Sequence, residues 1–132
     1  RDMKDFCDRL EKEFDRVVSY IFADPSAAGL IEEIRRVVPH IPVIPAQNDV
    51  KLGISRMQKL LSFRKMIINR QRQKMLIKEL GLYQYDPKSI DNGKEVPIKE
   101  NDHCLDGTRY LGMGMWNQIS YMLPEGERGD ED

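Results

Sequence analysis

The seven residues Val17-Val18-Ser19-Tyr20-Ile21-Phe22-Ala23 are almost all β-branched, aromatic or small, and they separate two stretches of helical periodicity. The run is too short for a core helix. Its apolar residues fall on successive rather than alternate positions, which reads as a strand buried on both faces. Before it, Met3, Phe6, Cys7, Leu10 and Phe14 recur at helical spacing over residues 2–16. After it, Ala27, Leu30, Ile31, Ile34, Val37 and Val38 do the same until Pro39. Helix, strand, helix in this order implies an α/β architecture with a partly parallel sheet.

The rest of the chain continues the alternation. Residues 41–46 are apolar but broken by Pro42 and Pro45, so they make at best a short or edge strand. Val50, Ile54, Met57, Leu60 and Leu61 mark a helix that Asn48 or Asp49 can cap. Met66-Ile67-Ile68 reads as a third strand, and residues 70–80 as a helix ended by Gly81. Residues 82–85 and 95–98 flank Asp91-Asn92-Gly93, the signal of a β-hairpin, and a last helix starts near Asn101 and runs through Tyr110. Residues 1–123 form one domain by this reading. Residues 124–132, PEGERGDED, form an acidic disordered tail, with five acids against one Arg and no apolar anchor.

A formal net charge of -1 argues at first against a polyanionic partner. It is an average over two opposed regions. Residues 51–78 carry nine Lys and Arg and no Asp or Glu, whereas the rest holds the other 12 basic residues against all 22 acids. The first region is thus +9 and the remainder -10, the usual footprint of a polyanion partner, although a basic helix face is more often only a solvated face. Lys51, Arg56, Lys59, Arg64 and Lys65 are the candidate backbone contacts. Cys7 and Cys104 lie far apart with no CxxC spacing, which argues against both a disulfide framework and a zinc site and fits a reducing cytosol. No apolar run approaches the roughly 18 residues of a membrane span, so no membrane partner is expected.

Two places can carry chemistry. Asp24 follows the C-terminal end of the first strand, where ligands of open α/β sheets bind, although Asp followed by Pro25 is also a common helix start. Asp102, His103 and Asp106 are spaced so that two carboxylates and an imidazole share one helix face. The alternative is that Asp102 and Glu100 serve the helix N-terminal dipole while His103 and Asp106 pair with each other. Oxygen ligands with at most one His suit Mg2+ or Mn2+ better than Zn2+, and two such cations about 4 Å apart are the machinery of phosphodiester cleavage. No GxxxxGK[ST] loop and no GxSxG context occurs in the chain.

Taken in order, the runs IFADPSAAGLIEEI (21–34), NDVKLGISRMQKLL (48–61), LYQYDPK (82–88) and GKEVPIKENDHCLDGTRY (93–110) resemble the C-terminal nuclease domain of tailed-phage terminase large subunits. The resemblance covers about residues 2–111 and implies a ribonuclease H-like fold, a mixed sheet flanked by helices, in a metal-dependent endonuclease that cuts concatemeric viral DNA during packaging. It further implies that Asp24, Asp106 and His103 are catalytic, that Asp24, Asp106 and Asp102 are metal ligands for a two-metal Mg2+ or Mn2+ site, and that Lys99 contacts the scissile phosphate. Double-stranded DNA, the terminase small subunit, the portal protein and an N-terminal ATPase domain would be partners, in the bacterial host cytoplasm. The family's first metal carboxylate, at the end of a strand before Asp24, has no counterpart here, so the sheet is expected to lack its first strands and the chain alone to cut weakly or not at all. The competing reading is a non-catalytic DNA-binding or packaging-complex interaction module.

Overall fold

In the computed structural model, which describes residues 2–82 and 102–129, the chain divides into two compact units, residues 1–47 and 48–132. The first is built on two helices and two strands. Helix α1 (Asp2–Phe14) has Asp2 and Asp5 in its first turn and Lys12 in its last, each sign matching the helix dipole, and buries Cys7. Asp15 closes it with φ 51°, a left-handed conformation that Asp tolerates, and Arg16 N–H reaches back to the Glu11 carbonyl at 3.3 Å.

Strand β1 is Ile21–Ala23, only the second half of the expected strand; Val17 is 78% exposed. The reason lies in its partner. Strand β2 (Val43–Pro45) runs parallel to β1 with Ile21 opposite Val43 and Ala23 opposite Pro45. The ladder is bracketed by Ile21 N–H to Pro42 O (2.9 Å) and Ala46 N–H to Ala23 O (2.7 Å). The two prolines that mark β2 as a short strand also limit how much of residues 17–23 can pair. Helix α2 (Ala28–Val37) crosses between them, burying Ile31 and Ile34 against Val38, Ile41, Val43, Ala23 and Cys7. The β1-α2-β2 unit is the parallel arrangement that the alternation implied.

The second unit is helical among its described residues. Helix α3 (Val50–Ser62) is capped by Asp49, whose carboxylate accepts from Leu52 N–H at 3.0 Å. Helix α4 is Lys74–Leu82, α5 is His103–Gly114 and α6 is Trp116–Ile119. The expected strand at Met66–Ile68 is absent. Arg64 (φ 56°) reverses the chain after α3, the N–H groups of Lys65 and Met66 both return to Leu60 O, and Ile67 is left 90% exposed. Met66 folds back onto the cluster of Leu60, Trp116 and Leu123 instead of entering a sheet. Gly81 lies inside α4 rather than beyond its end. The expected hairpin over residues 82–98 lies outside the described residues apart from Leu82, as does Lys99.

The tail expected from residue 124 is tied down as far as the structure describes it. Residues Glu125–Glu127 form a 3-10 turn; Trp116 Nε1 donates to Arg128 O and Lys59 Nζ to Glu127 O, both at 3.3 Å. The Arg128 side chain returns to Leu123 O (2.8 Å) and Tyr121 O (3.1 Å), so both backbone carbonyls and a charged side chain hold the segment.

Helices α3 and α5 approach closely at Gly53. A Cβ there would stand 2.5 Å from both Cγ and Cδ of Arg109, the anchored stem of a buried side chain. At Gly112 a Cβ would meet only the flexible Met57 thioether end. Alanine gains up to about 1 kcal/mol of helix propensity over glycine, while overpacking a rigid contact costs about 1–3 kcal/mol. Gly53→Ala should therefore lower the urea midpoint and Gly112→Ala should leave it nearly unchanged; equal effects would contradict this packing.

Candidate functional site

Asp24 leaves the C-terminal end of β1, exposed. Its Oδ1 accepts from the backbone N–H of Ser26 at 2.9 Å and from Ser26 Oγ at 2.8 Å, and Asp24 O accepts from Ala27 N–H. The carboxylate thus organises the turn between β1 and α2. It is not the N-cap of α2, which begins four residues later at Ala28.

Asp102, His103 and Asp106 stand together at the start of α5. Asp102 is buried in the cap position, yet its side chain makes no cap bond; its carbonyl accepts from Asp106 N–H at 2.8 Å. His103 is exposed. Asp106 is held by Arg109, one turn on, with Nη2 3.1 Å from Oδ1. The other terminal nitrogen of Arg109 donates to Asn48 Oδ1 at 2.8 Å, and its guanidinium lies 5.0 Å from the Tyr110 ring centroid. Arg109 is only 4% exposed. A buried guanidinium shared between a carboxylate and an amide oxygen joins the start of α3 to the first turns of α5. Asn48, one of two expected caps, serves this link while Asp49 does the capping.

The acceptor for the first turn of α5 is Glu79 of α4. Its two oxygens accept from Leu105 N–H (2.9 Å) and Cys104 N–H (3.1 Å). Burial alone pushes the Glu79 carboxyl up, but the N–H groups of Leu105 and Cys104, the Cys104 thiol and the nearby His103 outweigh it and hold the carboxyl below its ordinary value of 4.5. The Cys104 thiol is pushed up by burial and by Glu79. Because the folded-state value of Glu79 is depressed, its contribution is complete above the ordinary carboxylate range and is lost as pH falls through the depressed value. Glu79→Gln should cost about 1–2 kcal/mol at pH 7, the usual worth of a cap, and flatten the acid limb of a stability-versus-pH curve. An unchanged acid limb would show that Glu79 is not ionised against α5.

Glu79 and Arg109 do not stand out in the sequence, and Asn48 does so only as a candidate cap. Glu79 had a signal: it follows Leu76 at i+3, on the face of α4 that buries Leu76, where an apolar residue would be expected.

The basic stretch divides. Lys51, Arg64, Lys65, Arg70, Arg72, Lys74 and Lys78 are exposed. Arg56 is a correction: it is 7% exposed, its guanidinium 4.7 Å from the Trp116 ring centroid and Nη1 3.3 Å from Met113 Sδ. Gly53, Arg56 and Leu60 fall on one buried face of α3, so charge counting misassigned a residue that periodicity places inside. Lys59 is likewise turned inward, 3.8 Å from Glu127 Oε1 and bonded to Glu127 O.

Among the described residues, no three His, Cys, Asp or Glu side chains gather where they could hold a metal ion. Asp24 belongs to the first unit and Asp102, His103 and Asp106 to the second. The described residues do not by themselves complete a cation site. Among them, no helix is long and apolar enough to cross a membrane.

No protein-family model and no curated protein matches the chain. Solved structures do. The large terminase of a thermophilic bacteriophage, in complex with ATP-gamma-S, is similar at 33% identity and TM-score 0.66, over 82% of this chain and 28% of that one. A second crystal form of the same phage's large terminase gives 31% identity and TM-score 0.68, over 82% and 27%. Its complex with ADP gives the same figures. The chain therefore spans a little over a quarter of the length of these proteins.

Proposed function

This chain is related to the phage large terminases, and from that premise we propose that it supplies part of the DNA-cutting machinery of a genome-packaging enzyme. The observation that carries the proposal is the match to a phage large terminase at 33% identity and TM-score 0.66. Two sequence features favour cutting over nucleotide hydrolysis for this segment. The 132 residues contain no GxxxxGK[ST] loop to cradle ATP phosphates, and their acids and bases fall into the separate regions that a metal-dependent nuclease needs.

In this reading the fold is ribonuclease H-like, and Asp24, Asp102 and Asp106 are the oxygen ligands that the chain contributes toward Mg2+ or Mn2+. Further carboxylates from outside the described residues are required. A bound cation pair would activate water and stabilise the leaving oxygen of a phosphodiester. What the chain's own residues do is narrower. Arg109 holds Asp106 in a fixed orientation, the Asp24 turn presents a carboxylate at the end of β1, and exposed His103 stands one turn before Asp106, placed to take or give a proton. The small subunit, the portal protein and the host cytoplasm follow from the same relationship.

A second reading has its own support. Asp24 and Asp106 are both engaged in hydrogen bonds within the chain, as they would be in a DNA-binding or packaging-complex module that cuts nothing. The test is nicking of supercoiled plasmid by the polypeptide that contains this chain. The nuclease reading expects cutting that needs Mn2+ or Mg2+ and stops with chelator; DNA binding without cutting in any divalent cation supports the module.

Both readings place DNA against the exposed basic residues. Neutralising Lys51, Arg64 and Lys65 together should weaken DNA binding and reduce the slope of log K against log salt by roughly 2–3, about 0.9 per lost phosphate contact. Arg56→Gln should leave the slope unchanged, because that side chain is buried on Trp116. A slope that responds to Arg56 and not to the triple substitution would overturn the assignment.

A further inference from the structure

The first N–H groups of any helix lack partners within it, and at the start of α5 two of them are met by a side chain of another helix. The residue in the cap position, Asp102, makes no side-chain cap bond. The acceptors come from 25 and 26 residues away: both oxygens of Glu79, on α4, take the N–H groups of Cys104 and Leu105. Glu79 is 4% exposed. A carboxylate that buried is costly unless its charge-assisted bonds are made, so it fixes the first turn of α5 firmly to α4. On the far side of the same turn, Arg109 ties Asp106 to Asn48 at the start of α3. His103 and Asp106 are bracketed between two anchors, Glu79 on α4 and Asn48 just before α3.

We propose that Glu79 is a positioning residue: by clamping the first turn of α5 to α4 it sets the orientation of His103 and Asp106 for DNA cleavage. The proposal rests on the nuclease reading above. An ordinary cap keeps a helix from fraying within its own chain. A cap donated by another helix also fixes where the helix end lies, and misplacing a reacting group by about 1 Å can cost roughly a hundredfold in rate.

The experiment compares wild type with Glu79→Ala, Glu79→Gln and Asp106→Asn in the polypeptide that contains this chain. It reads kcat and KM for plasmid nicking and backbone hydrogen exchange over residues 103–106. Glu79→Ala should lower kcat roughly tenfold to a hundredfold with KM unchanged and speed exchange of the first-turn amides roughly tenfold. Glu79→Gln, which keeps one carbonyl acceptor, should fall between, and it decides alone where the alanine variant does not fold. If Asp106→Asn abolishes cutting but Glu79 variants cut at the wild-type rate, or change only KM, the positioning role is overturned and the nuclease reading stands. If Asp106→Asn cuts like wild type, or wild type does not cut, the nuclease reading fails and the positioning role fails with it.

Discussion

Arg109→Met is expected to destabilise the second unit by about 3–5 kcal/mol. The Arg109–Asp106 pair is buried, with side chains 5% and 15% exposed. Removing one member of a buried pair leaves the other poorly compensated in a place that water reaches little, and that residual penalty accounts for most of the loss. Methionine keeps the stem that packs over Gly53 but supplies no donor for Asp106 or for Asn48 Oδ1, which lies 2.8 Å from the guanidinium. In a chain of this size each kcal/mol shifts the melting temperature by about 4 °C, so a fall on the order of 12–20 °C should be seen by circular dichroism. Arg109→Lys, which keeps charge but not the two-pronged geometry, should recover only part of the loss. A melting temperature within about 3 °C of wild type for Arg109→Met, less than 1 kcal/mol on that scale, would mean that the pair is not structural.

Hydrophobic spacing revealed α1, α2 and α3 because each keeps its apolar residues on one face over three turns, a signal that local sequence carries completely. It revealed β1 only in part, since strand length depends on the partner and β2 is limited by Pro42 and Pro45. The apolar triplet at Met66–Ile68 misled for a related reason. Strand propensity has no force without a sheet edge to join, and the turn at Arg64 directs Met66 into a helical core.

For the candidate site, Asp24, Asp102, His103 and Asp106 were legible as residue types at telling spacings. Their partners were not. Glu79 meets Cys104 across 25 residues and Arg109 meets Asn48 across 61, contacts that no window along the chain contains. Arg56 shows the converse error. Net charge over residues 51–78 treats every basic side chain as solvent-facing, whereas the buried face shared by Gly53, Arg56 and Leu60 puts this one under Trp116.

The second large effect concerns cutting itself. Asn at position 106 retains an oxygen for the Arg109 guanidinium, so the link between α3 and α5 survives, but it removes the negative charge that a divalent cation requires. Losing even an outer partner of a metal ligand costs about 10–100-fold in activity or affinity, so losing a ligand should cost more. Asp24→Asn keeps an acceptor for Ser26 and removes charge in the same way. Supercoiled-plasmid nicking in Mn2+ by the polypeptide that contains this chain, measured for wild type, Asp24→Asn and Asp106→Asn, is therefore the decisive measurement. Both variants should bind DNA as wild type does and cut more than about a hundredfold more slowly; cutting at the wild-type rate by either would contradict the assignment of these two carboxylates to a nuclease centre.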